Sequence, residues 1–224
     1  MGILKTITEE YFGETIRKED EINIDGLDVE IVSFTDNNKK YHKKGYKPKD
    51  LENLRYLLKI MIEKRGNEGD FNDIDTSDIK NMGSLFEKYN TFNGDITGWD
   101  VSKVENMSFM FCKAYSFNQP IGKWDVSSVK DMGDMFQYAK SFNQPIGNWN
   151  VSEVKSMRFM FLNAVSFNQP IGDWKLPKVT SMICMFKNAK SFNQDLSKWD
   201  LTGKFTDEIF HNCPIKDKYK PKMK

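Results

Sequence analysis

The sequence predicts an α/β repeat: a solenoid of about six coils, each a short extended segment plus a short helical turn, with an N-terminal capping helix and a small β-hairpin. Three observations predict it. Phe92, Phe117, Phe142, Phe167 and Phe192 head copies of one pattern, always 25 residues apart. The constant columns of that pattern are apolar, and of the unusual content of 17 Phe, 12 Met and 5 Trp, every Trp and most of the Met belong to the repeat. A unit this short cannot bury its own apolar face, so neighbouring copies must stack to make a continuous core.

The elements follow in chain order. Residues 1–49 form an N-terminal extension. In "INIDGLDVEIVSF", Val29 and Ile31 alternate with charges around Asp25-Gly26, which predicts a hairpin within 21–35. Six lysines between 39 and 49 then read as a solvated linker. Over 50–66, Leu51, Leu54, Leu57, Leu58, Met61 and Ile62 share one helical face. Asp50 is a fitting N-cap and Gly66 a fitting stop. This helix precedes the repeats directly and reads as the cap that an open solenoid end needs; a partner-binding helix is the alternative.

The repeat region is 67–213. A degraded first copy starts at Asn67 and keeps register through Asp75, Ile79, Met82 and Phe86. The last copy decays after Leu201, although Ile209, Phe210 and Cys213 echo the usual ending one residue early. All tryptophans, Trp99, Trp124, Trp149, Trp174 and Trp199, fall in one column. Val104, Met107, Met110, Phe111 and Ala114 have helical spacing, and Ser102 with Glu105 reads as a capping box. That predicts a short α or 3₁₀ turn, while Ile-x-x-Trp-x-Val reads as a very short strand paired in parallel with the next coil. Asn93, Asn118, Asn143, Asn168 and Asn193 read as an amide ladder, with Gln119, Gln144, Gln169 and Gln194 beside it. Gly122, Gly147 and Gly172 read as tight corners. Residues 214–224 read as a basic, solvated tail.

These motifs resemble a known family. "FNQPIGNWNVSEVKSMRFMFLNA" is similar to the bacterial surface-protein repeat of BspA-like leucine-rich repeat proteins, in particular the mycoplasma-type branch. The pattern FNQxIxxWDVSxVxxMxxMFxxA is matched throughout by Phe117 to Ala139. The resemblance covers about residues 67–213. It implies a leucine-rich-repeat-like solenoid, surface exposure, and binding to host or matrix proteins, with no shared catalytic residues. The chain departs from the family in showing no secretion signal or lipid-anchoring cysteine near its start.

Composition narrows the function classes. A formal net charge of +1 gives no electrostatic case for nucleic acid. No stretch approaches the roughly 20 apolar residues of a membrane helix, so no membrane insertion is expected. The opening residues lack the basic–apolar–small order of a secretory signal, so the chain reads as cytoplasmic as written, with cell-surface or secreted placement implied by the resemblance. Cys112, Cys184 and Cys213 are odd in number and form no CxxC, which speaks against disulfides and zinc. His42 and His211 sit in no catalytic motif, and no nucleophile elbow, phosphate loop or HExxH occurs. No enzyme activity, cofactor or metal is expected. Asp75, Asp100, Asp125 and Asp200 read as caps of the following turn, with calcium as the lesser alternative.

A stacked repeat displays its variable positions as a surface. One variable column holds Lys123, Asn148 and Asp173, and another holds Phe109, Asp134, Phe159 and Cys184. Exposed phenylalanines there would suit a protein partner; the competing reading packs Phe109 and Phe159 inside. The expected function is therefore a protein-interaction or adhesion module that uses Phe109, Lys123, Asp134, Asn148, Phe159 and Asp173. The alternative is a structural spacer or self-associating scaffold.

Overall fold

The computed structural model describes residues 29–35 and 42–222. The turn expected at Asp25-Gly26 lies outside them. Strand β1 (Val29–Thr35) pairs antiparallel with β2 (His42–Pro48), in a register that sets Val29 against Pro48 and Thr35 against His42. His42–Pro48 lies in the segment read as a lysine-rich linker, so part of that segment is strand. Tyr46 explains why: it is 3% exposed, its N–H donates to Asp73 at 2.8 Å, and its carbonyl accepts from Asp75 at 2.9 Å. The strand is thereby stitched to the first repeat unit.

Helix α1 (Leu51–Arg65) follows at once. Asp50 caps it by accepting from the N–H of Asn53 at 2.9 Å, and Gly66 ends it at a positive φ of 78° that favours glycine. Leu54, Leu57, Leu58, Met61 and Ile62 are buried in the same core cluster as Leu85 and Phe86 of the first unit. Two arginines fix the docking. Arg55 donates to the carbonyl of Gly83 at 2.6 Å, and Arg65 grips the buried Asp73 carboxylate with two bonds of 2.7 Å.

The units run 67–91, 92–116, 117–141, 142–166 and 167–191, with a shortened sixth over 192–213. Equivalent side chains of successive units lie against each other. Phe86, Phe111, Phe136, Phe161, Phe186 and Phe210 form one ladder, with ring centroids 5.4–5.8 Å apart. Phe92, Phe117, Phe142, Phe167 and Phe192 form a second at 5.9–6.3 Å. Each ring of the first ladder except Phe210 also stacks on one of the second at 3.9–4.2 Å. Such pairs contribute about 0.5–1.5 kcal/mol each beyond area burial. The methionine, valine and alanine columns fill the remaining interior at 0–2% exposure.

The segment expected to be a helical turn is a run of reverse turns. In the second unit the amides alternate. Met110, Cys112 and Ala114 close turns onto Met107, Phe109 and Phe111, while Met107, Phe109, Phe111 and Lys113 donate to the next unit. Two residues in each unit after the first, here Phe109 and Lys113, have left-handed φ, at 58° and 60° in this unit. A helix would need every amide bonded four residues back within the segment. Nor is Ser102 a helix cap: its own N–H donates to Asp100 at 2.9 Å, and Glu105 donates to Lys80 of the preceding unit at 2.8 Å.

Parallel pairing between repeats occurs, but mostly elsewhere than expected. Single parallel bridges join Asn81, Asn106, Asp131, Ser156, Ser181 and Phe205 in succession, just before the first methionine column. In the Phe-Asn-Gln stretch, side chains replace the backbone ladder. Asn118, Asn143, Asn168 and Asn193 each donate their N–H to the asparagine side chain one unit back at 2.9 Å. Gln119, Gln144, Gln169 and Gln194 donate to the asparagine carbonyls of that preceding unit at 2.7–3.0 Å.

The C-terminal segment is no solvated tail. Ile215 is 5% exposed, Lys216 donates its N–H to Asn193 at 3.0 Å, and Tyr219 accepts from Leu196 at 2.8 Å. Residues 214–222 thus cover part of the last unit.

Candidate functional site

The two variable columns occupy different settings. Phe109, Asp134, Phe159 and Cys184 each sit third in a reverse turn, as shown by Met110 donating back to Met107 at 3.2 Å and Met135 to Met132 at 3.3 Å. That place requires positive φ, as in a type II turn. Ser84, Phe109, Asp134, Phe159, Cys184 and Glu208 supply it at 52–60°. Phe109 and Phe159 are half-buried, so neither the exposed nor the interior reading describes them fully.

Asp134, expected at the surface, is buried at 3% exposure. Its Oδ2 has no hydrogen-bond partner, and the nearest cation is Nε of Arg158 at 3.7 Å. Burial pushes its carboxyl up to about 6; Arg158 opposes that, while Asp131 and Glu87 add to it. The Arg158 stem passes close by: a Cβ on Gly133 would stand 3.1 Å from Oδ1 of Asp131 and 3.3 Å from Cγ of Arg158.

The column of Lys123, Asn148 and Asp173 is exposed, as expected. Asn148 and Asp173 line an open groove of about 510 Å³, with Pro145, Pro170, Gln194 and Lys198 around them. Lys123 is not among its lining residues, nor is any member of the Phe109 column. Asp173 pairs with Lys198 at 2.8 Å, and that lysine holds its carboxyl below the usual range. The glycines of this corner serve close approach. A Cβ on Gly147 would lie 2.4 Å from the carbonyl oxygen of Pro170 in the next unit.

Other variable charges pair from unit to unit in the same column. Lys103 meets Asp78 at 2.7 Å, Lys130 meets Glu105 at 2.5 Å, and Lys178 meets Glu153 at 2.6 Å. The aspartate column caps turns: Asp75, Asp100, Asp125 and Asp200 accept from the N–H two residues on at 2.9–3.0 Å. Among the described residues, no group of three or more His, Cys, Asp or Glu is placed to hold a metal ion. Cys112 and Cys184 are buried, Cys213 is half-buried, and burial pushes the Cys112 thiol up to about 11.

One surface column was missed from sequence. Lys113, Tyr138, Asn163, Asn188 and Asn212 form a second left-handed row at φ 53–60°. Its asparagines ladder side chain to side chain at 3.0 and 3.1 Å. The recurrent asparagine was the available signal, since Asn tolerates positive φ better than most residues.

Comparison with known proteins fits this unit-on-unit construction. The family described as "Mycoplasma protein of unknown function, DUF285" matches residues 52–161 and again 121–218. The chain belongs to this Mycoplasma family. Two overlapping matches suit a tandem repeat, because a pattern spanning several units fits in more than one register. The matched DUF285 region begins within α1 and ends within the C-terminal segment, so it takes in both ends of the stack. No curated protein and no solved structure gives a significant match.

Proposed function

We propose that the protein is a non-enzymatic protein-interaction or adhesion module of the BspA-like, bacterial surface-protein kind, built as a leucine-rich-repeat-like solenoid. The successive parallel bridges and the two phenylalanine ladders support the solenoid reading. One observation carries the functional reading: Phe109 and Phe159 occupy left-handed turn positions and remain half-buried. A bulky residue at positive φ is an outlier that costs on the order of 1–2 kcal/mol. The first unit fills the same place with Ser84. Aromatic side chains held there at a cost to stability suit contact with a protein partner such as a host or matrix protein.

The test is capture of matrix and cell-surface proteins by the wild type, by Phe109→Ser/Phe159→Ser, and by Asn148→Ala/Asp173→Ala. Loss of capture in the first variant, with its melting curve intact, supports the reading. Full capture by both variants overturns it. The same-column ion pairs favour a second reading, a spacer or scaffold, because they commit variable charges to neighbouring units instead of a partner.

A further inference from the structure

Each complete interior unit donates four alternate amides to the unit after it. Met107, Phe109, Phe111 and Lys113 bond the carbonyls of Asp131, Gly133, Met135 and Gln137 at 2.8–3.0 Å. The pattern continues to the fifth unit, where Met182, Cys184, Phe186 and Asn188 bond Phe205, Asp207, Ile209 and His211 at 2.8–2.9 Å. The equivalent donors of the sixth unit are Thr206, Glu208, Phe210 and Asn212. Their N–H groups have no acceptor among the described residues. The backbone there still has the interior conformation. Ile209, His211 and Cys213 close the usual turns at 3.0–3.1 Å, and Glu208 and Asn212 keep φ of 52° and 53°.

Two phenylalanines lie on the segment that carries these donors. The first phenylalanine ladder ends at Phe210, half-buried and 5.8 Å from Phe186, and Phe205 is 65% exposed. The C-terminal segment covers another part of this unit, at Asn193 and Leu196.

We propose that this edge docks the first unit of a second polypeptide built from the same 25-residue repeat. The row consists of donors only. The carbonyls of Phe205, Asp207, Ile209 and His211 are engaged by the fifth unit, and those of Thr206, Glu208 and Phe210 close the local turns. An identical edge therefore has nothing to offer it, which excludes tail-to-tail pairing. Carbonyls at the matching spacing lie on the N-terminal face of a unit of this kind, as at Asp131, Gly133, Met135 and Gln137. In this chain one carbonyl of that face, Gly83, already accepts from Arg55 of α1, so a second copy carries its own block. The occupant is a like-repeat chain whose first unit has no such helix over it. This edge is separate from the two side-chain columns and does not depend on their role.

The test uses the full chain, labelled for amide exchange, and as the probe the unlabelled full chain carrying Leu57→Pro, which breaks α1 and bares its first unit. All five tryptophans lie in later units, so their emission reports that the probe's stack stays folded. Arg55→Ala, which frees the Gly83 carbonyl, serves as a second probe. Either probe is expected to slow exchange at Thr206, Glu208, Phe210 and Asn212 at least tenfold, and Phe205→Asp in the labelled chain to weaken that binding at least tenfold. Phe205 is exposed, so its replacement leaves the core intact. Unchanged exchange at millimolar folded probe overturns the proposal. Equal slowing by the unlabelled wild-type chain overturns the choice of occupant.

Discussion

Asp134 is the residue whose chemistry departs most from its surroundings. Its carboxyl titrates at about 6 when folded against an ordinary 3.8, so the folded state holds the proton longer. The stability this contributes is full below pH 3.8 and is lost as pH rises through about 6. At neutral pH keeping this buried carboxyl ionised, even with Arg158 beside it, costs roughly 3 kcal/mol. Asp134→Asn should therefore raise the melting temperature at pH 7.5, with the gain vanishing near pH 4; a pH-independent difference would contradict the account. Variability in its column marked this position as surface, but no sequence pattern signals that Arg158 of the next unit lies against it. The glycine corner was legible as a tight turn, but the carbonyl of the next unit pressed against it was not. Gly147→Ala meets a backbone carbonyl that cannot retreat, and should cost about 1–3 kcal/mol in denaturant unfolding.

Among the elements, α1 was readable to its ends because its signals are local: Asp50, Gly66 and an apolar stripe. Its anchor was not, since Arg65 and Asp73 are both ordinary charged residues in sequence. Arg65→Ala leaves a buried carboxylate unpaired, which typically costs about 3–5 kcal/mol. Unfolding should detect the loss, and adding Asp73→Asn should recover part of it. The repeat turns were misread for a physical reason. Turns closed three residues back mimic helical spacing at Val104, Met107 and Met110, while the first row of left-handed residues, from Ser84 to Glu208, shares no side-chain type. Strand β2 was hidden by its lysines, because its pairing is a property of the backbone and of Tyr46.

For the whole molecule, the repeat period and its columns were legible because identical residues recur every 25 positions. Where the units pair was not, since amides that bond forward and amides that close turns alternate along one backbone. Stability in such a stack is a sum over neighbours, and units at an end contribute less than units in the middle. Trp149→Ala should cost about 3–5 kcal/mol and Trp199→Ala less, because among the described residues no complete unit packs on the sixth; equal losses in denaturant titrations would count against nearest-neighbour stacking. Residue-resolved amide exchange on the intact chain tests the in-register stack most directly. Phe109, Asp134, Phe159 and Cys184 sit in turns yet donate to the next unit at 2.8–3.0 Å, so their amides should be strongly protected, while Glu208 in the same column should exchange freely. Exchange as fast at those four as at Glu208 would mean that the units do not bond one to the next.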